Sequence, residues 1–233
     1  YKFENGQKKY FNIQSSKYEL LPGRETFIIL DSYRKNSPVL KNSECEVHDI
    51  GDGVLCFEFT SKSNSIGEGI GKGLYEIIEI AEQGDWNGLV IGNNAKQFSV
   101  GANLMNIGML AMQKQYEVLD KFVSDFQKIN MRIRTSKIPV VVATQGYVFG
   151  GGCEISMHCD AGIYAAESYI GLVEVGVGLL PGGGGTKEFA LRASNDFFDG
   201  DVQTPTLIRY FKSIATAAVS TSAHEAYDLG YLN

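Results

Sequence analysis

Two acidic residues stand apart from the other carboxylates of this 233-residue chain. Glu154 lies three residues after Gly151, in the run Phe149-Gly150-Gly151-Gly152-Cys153-Glu154, and Glu174 sits among Leu172, Val173, Val175 and Val177. A carboxylate with aliphatic neighbours is costly to bury as an anion, so burial raises its pKa toward the range useful for proton transfer. Two such groups in different surroundings suit paired acid and base work. Each also has a plainer reading: Glu154 as a favourable partner of a helix dipole, and Glu174 as an exposed or ion-paired edge residue.

Glycine supplies 27 of the residues and clusters at 150–152 and 182–185. The first cluster follows a buried-strand pattern at 138–148 and precedes a helical pattern at 153–159. Amides at a helix start lack intrahelical partners, and the macrodipole favours negative charge beside them. Glycines let a carbonyl approach that backbone. This is the geometry of an oxyanion hole, where one donor is worth about 2.7–4 kcal/mol of barrier. A second donor is expected from the turn Gln97-Phe98-Ser99-Val100-Gly101-Ala102-Asn103, which follows the short strand pattern at 87–93. Both segments read equally well as simple strand-to-helix turns. The remaining glycine runs fail as phosphate loops. The run at 67–73 has Lys72 where G-x-G-x-x-G needs glycine, and after Gly185 the threonine precedes the lysine. No dinucleotide fingerprint is present.

These groups need a scaffold. Residues 45–61 read as two strands around Gly51-Asp52-Gly53, 66–86 as a helix with Leu74, Ile77, Ile78 and Ala81 on its apolar face, 116–136 as a long amphipathic helix, and 161–171 as a strand and turn. Strands alternating with helices predict an α/β fold. Residues 1–44 differ. An Asn-Gly pair between aromatic, alternating runs predicts a β-hairpin, and the polar, Pro- and Gly-broken stretch after it reads as a linker. Residues 1–44 are therefore expected to be an appendage joined to an upstream domain, with 45–233 as the main domain. The net charge of −6 disfavours nucleic acid as a partner. No apolar run approaches the length of a membrane span, and the N-terminus lacks the apolar core of a signal peptide. Cys45, Cys56, Cys153 and Cys159 contain no CxxC pair, so neither zinc nor a disulfide framework is expected. They read as thiols packed as small hydrophobes, which fits a reducing cytoplasm. His158, in helical register with Glu154, reads as packing.

Four segments in order resemble the crotonase (enoyl-CoA hydratase/isomerase) superfamily: GLVIGNNAKQFSVGANL, IPVVVATQGYVFGGGCEISMHCD, YIGLVEVGVGLLPGGGGTKEF and TAAVSTSAHEAYDLGYLN. The resemblance covers roughly residues 50–233. The third segment is most similar to the hydratase-like C-terminal part of bacterial bifunctional 3-hydroxyacyl-CoA dehydrogenases. The resemblance implies a ClpP/crotonase-like fold of stacked ββα units behind the hairpin-and-linker start. It implies syn hydration of a trans-2-enoyl-CoA to a 3-hydroxyacyl-CoA in fatty acid β-oxidation. The oxyanion donors then fall on the backbone N–H groups of Val100 and Gly151, and the two carboxylates on Glu154 and Glu174. Glu154 helps remove a proton from water adding at C3, and Glu174 delivers one to C2. Gly101, Ala102, Asn103, Gly150 and Gly152 line the acyl-CoA.

No metal and no cofactor are expected for this part. Coenzyme A arrives with the substrate, and NAD belongs to the upstream dehydrogenase domain. The expected partners are the acyl-CoA, that domain and further copies of the chain. Asn103 and Val100 depart from the family's usual aspartate and alanine, and the insert between Ala102 and Pro139 is long. The chain ends before the family's C-terminal helices, so activity of this piece alone is an open expectation. Three rivals remain: an isomerase of the same fold, a non-catalytic acyl-CoA-binding module, and a ClpP-like peptidase. The last is disfavoured because no serine occupies the nucleophile position after the second glycine turn, and Cys153, the nearby candidate, has no evident base partner.

Overall fold

The computed structural model describes residues 1–4, 7–23, 27–34 and 36–232. The chain begins with a small antiparallel sheet of β1 (Lys2–Glu4), β2 (Gln7–Asn12) and β3 (Lys17–Leu20). The predicted hairpin is β1–β2, and its Asn5-Gly6 turn lies outside the described residues. The third strand was not predicted, because Lys17 and Glu19 give it little apolar signal. It is held by the Phe11–Tyr18 ring contact and by Asn12 Nδ2 donating to Glu19.

The main sheet has six strands in chain order: β4 (Leu40–Lys41), β5 (Cys45–Asp49), β6 (Val54–Phe59), β7 (Gly88–Gly92), β8 (Val140–Phe149) and β9 (Ala161–Gly171). β4, β5 and β6 pair antiparallel, and the expected turn at 51–53 joins β5 to β6 with all three residues at positive φ. From β6 onward the pairing is parallel. Parallel neighbours need crossovers. These are α1 (Glu68–Gln83) between β6 and β7, α2 (Leu104–Met112) with α3 (Tyr116–Arg134) between β7 and β8, and α4 (Gly151–His158) between β8 and β9. The organisation is α/β, as the alternating pattern predicts. After β9 follow α5 (Gly185–Asn195), α6 (Thr204–Ala215) and α7 (Ala223–Asp228).

Leu74, Ile77, Ile78 and Ala81 of α1 are fully buried in the same apolar core as Leu55, Phe57, Ile91 and Val142 of the sheet. The glycine-rich run at 67–73 forms the start of this helix. Gly73 packs so closely on β5 that a Cβ there would lie 2.5 Å from Cys45 Sγ. All four cysteines are buried thiols.

The segment ahead of Cys45 is docked on this sheet. The Leu30 amide donates to Asn94 Oδ1 (2.7 Å), and Leu40 pairs with Val47. Arg34 reaches Glu58 (2.7 Å) and Glu46 (3.5 Å), two glutamates that flank His48. Glu46, His48 and Glu58 are the one cluster of metal-ligating side chains among the described residues. Arg34 and Lys41 supply two cations against its two carboxylates.

Candidate active site

The site is built at the end of β8. A bulge between Thr144 and Gly146 turns the strand's last residues aside, and Ser99 bridges to Val148 there. The Ser99 amide donates to Tyr147 O (3.0 Å) and the Phe149 amide to Ser99 O (3.0 Å). The turn at 97–103 is thus tied across β8, and the Ile66–Ala102 bridge ties it to the segment before α1. Gly101, at φ +86°, lies directly on the glycine turn. A Cβ at this position would meet Phe149 O at 2.8 Å and Gly151 N at 3.3 Å. The two expected donor segments, at Val100 and Gly151, therefore adjoin. Gly151 opens α4, where the helix leaves its amide without an intrahelical acceptor.

Gly150 makes the turn at φ +52°, ψ −121°, a conformation that side chains disfavour. A Cβ here would sit 3.2 Å from Glu174 Oε1. The same geometry brings Glu174 to the turn, four residues ahead of Glu154. Asn103 accepts from the Asn106 amide and caps α2, so its side chain serves the loop.

All eight residues of α4 are buried, Glu154 among them at 2% exposure. Glu154 Oε1 accepts from the Gly185 amide (2.9 Å) at the start of α5. Burial pushes its carboxyl up to about 7, opposed by the amides of Gly185, Gly183 and Gly184. Glu174 opens a short 3-10 turn, Glu174–Val177, and its Oε2 is buried without a hydrogen-bond partner. Burial, then the nearby Glu154 carboxylate, pushes it up to about 8. The glycine run at 182–185 thus supplies donors to a carboxylate. Near neutral pH one carboxyl is partly ionised and the other largely protonated, a pair suited to opposite proton transfers.

Several residues escaped the sequence reading. Gln127 and Asn130 of α3 donate to Gly182 O (2.7 Å) and Gly183 O (2.8 Å) and so hold the glycine run in place. The signal was a fully buried asparagine in the Ile129–Ile133 stripe. Phe126 and Ile66 wall the site: a Cβ on Gly151 would meet Ile66 Cδ1 at 3.1 Å and the Phe126 ring at 3.2 Å. The same two side chains form part of a cleft of about 660 Å³ between α1 and α3, which Val118 and Phe122 also line. Its size is that of a small-molecule pocket.

A sheet with parallel crossovers, two glycine-framed turns and a buried carboxyl pair describe an α/β protein with a buried acid–base site. The sequence matches the enoyl-CoA hydratase/isomerase family over residues 49–198. The chain belongs to this family. It is 38% identical to a probable 3-hydroxyacyl-CoA dehydrogenase of Bacillus subtilis, across 98% of this chain and 28% of that protein. It is 35% identical to a crotonyl-CoA hydratase of Syntrophomonas wolfei, across 42% of this chain and 36% of that protein. The crystal structure of an enoyl-CoA hydratase from Polaromonas sp. JS666 superposes with a TM-score of 0.69 at 22% identity, covering 81% of this chain and 69% of that one, so the fold is of the crotonase type. The chain spans about a quarter of the Bacillus protein, and 25% of a putative fatty acid oxidation complex trifunctional enzyme of Rickettsia felis that it matches at 26% identity.

Proposed function

We propose that this chain is the hydratase part of a longer polypeptide, adding water to a trans-2-enoyl-CoA to give a 3-hydroxyacyl-CoA in fatty acid β-oxidation. The observation behind this reading is the convergence of Glu154, Glu174 and the Val100 and Gly151 segments on one buried turn, with Glu174 Oε2 unpartnered. The thioester carbonyl accepts from the Val100 and Gly151 amides, against a wall of Gly101, Ala102, Asn103, Gly150 and Gly152. The acyl chain runs past Phe126 toward the cleft between α1 and α3. Ionised Glu154 takes a proton from water as the water oxygen bonds to C3. The alkene electron pair moves onto the thioester as an enolate braced by the two amides. Glu174 then gives its proton to C2 as the enolate collapses. One proton returned from Glu154 to Glu174 resets the pair.

The balance involves no redox change, so NAD is a requirement only of an attached dehydrogenase domain. That domain, the acyl-CoA and further copies of the chain are the partners of this reading, and a reducing cytoplasm suits its buried thiols. No helix among the described residues is long and apolar enough to cross a membrane. The test is to mix the full-length polypeptide with crotonyl-CoA and follow loss of the conjugated thioester absorbance. No loss from folded protein overturns the reading. If E154Q keeps most of an isomerase activity, the one-carboxylate isomerase reading replaces it. Binding of CoA thioester without turnover indicates a non-catalytic module.

A further inference from the structure

His158 closes α4 one turn beyond Glu154 and is 1% exposed. Its Nδ1 lies 2.6 Å from the Glu154 carbonyl oxygen. A carbonyl only accepts, so Nδ1 carries the proton and Nε2 keeps its lone pair. Nε2 faces Lys187 Nζ at 3.1 Å, and an ammonium only donates. Lys187 also reaches Glu188 (2.7 Å), whose other oxygen is held by Arg134. The ring's Cε1–Nε2 edge further packs on the glycine run: a Cβ on Gly184 would meet its Cε1 at 2.9 Å and its Nε2 at 3.0 Å. One imidazole therefore touches the helix that carries Glu154, the turn whose amides face the Glu154 carboxylate, and the lysine at the start of α5.

We infer that His158, braced by Lys187, is a positioning residue that keeps the Gly183–Gly185 amides seated on the Glu154 carboxylate. The inference rests on the hydratase reading for its catalytic consequence. The charged and titratable groups facing this unit are Lys187, Glu188 and Arg192 from α5, Arg134 from α3, Glu174 from the turn after β9, and Cys153 within α4. Burial pushes the imidazole down to about 4, so it stays neutral while Glu154 titrates. A ring that does not change charge acts through geometry alone. Without it the amides drift from the carboxylate, and the anion loses its donors.

The test compares H158L, H158N and H158Q in the full-length polypeptide. Asparagine can place a donor where Nδ1 was, glutamine can reach only toward Lys187, and leucine does neither. Two readouts are taken: the pH profile of kcat/KM with crotonyl-CoA, and a ¹³C NMR titration of the Glu154 carboxyl. For H158L and H158N the inference expects the Glu154 titration to move up by about one unit. This is a loss of about tenfold in kcat/KM below pH 6 that shrinks as pH rises. H158Q, which still reaches Lys187 beside the glycine run, should restore the wild-type profile. Unchanged titration in folded H158L, or an equal loss at every pH, overturns the inference. If H158L does not fold, equal profiles for H158N and H158Q overturn it. The NMR titration decides the matter even where no hydration occurs, so failure of the hydratase reading is seen separately.

Discussion

At the scale of single residues, two glutamates share one buried turn and differ in their partners. Glu154 has donated amides and Glu174 has an oxygen with none. E154Q and E174Q keep the shape and lose the proton chemistry, and each is expected to lower kcat/KM for crotonyl-CoA by about 10²–10⁴. The proposed reaction requires Glu154 ionised and Glu174 protonated. The rate should therefore rise with pH through about 7 and fall through about 8, a narrow bell measurable by initial rates. Stability follows the same groups with a defined sign. Both carboxyls are raised in the folded state, so the native protein holds protons that the unfolded chain releases. Their contribution is complete below about 4.5 and is lost as pH rises toward 8. E174Q should therefore melt higher than wild type at pH 8, with a gain that fades toward pH 5. Equal melting temperatures at pH 8 would contradict the burial of an unpartnered carboxylate. At Gly101, φ +86° and a 2.8 Å approach to Phe149 O leave no room for a methyl group. G101A is expected to cost about 1–3 kcal/mol in denaturant unfolding and most of the activity.

At the scale of elements, α1 and α3 are clamped by Arg132, whose two nitrogens each reach a Glu82 oxygen at 2.7 Å. The Lys137 amide adds a third donor (2.8 Å). The Arg132 bond, then the amide, hold the Glu82 carboxyl down at about 2. A depressed carboxylate stabilises above its unfolded pKa and stops doing so as pH falls through its folded one. R132L should cost about 1–3 kcal/mol at pH 7, and the difference from wild type should vanish near pH 2. Much of this layer was legible in the sequence. The apolar stripe of α1, the turn at 51–53 and the strand–glycine–helix passage at 140–158 follow from local periodicity and local turn chemistry. What periodicity cannot carry is contact between distant segments. β3 was hidden by its lysine and glutamate, and the role of Asn130 depends on a glycine run more than fifty residues later. His158 was read as packing, because its two partners, the Glu154 carbonyl and Lys187, leave no mark on local spacing. The glycines at 67–73 resembled a ligand loop because close helix–strand packing and phosphate binding both call for a missing side chain.

At the scale of the whole molecule, the matched relatives of Bacillus and Rickettsia are more than three times as long as this chain. If the proposed dehydrogenase domain is attached, the full polypeptide given crotonyl-CoA and NAD should form NADH, and E154Q should abolish that signal while leaving oxidation of added 3-hydroxybutyryl-CoA intact. The Arg34 contact bears on where the chain can be cut. A protease nick between residues 36 and 40 would spare every catalytic group. It would nonetheless free the guanidinium that neutralises Glu58 and Glu46, two acids seated beside His48 deep in the sheet. A fragment beginning at Cys45 should then melt several degrees below one beginning at Phe27, so the stretch around Arg34 is a keystone of the sheet that follows it, and any truncation of the chain has to respect it.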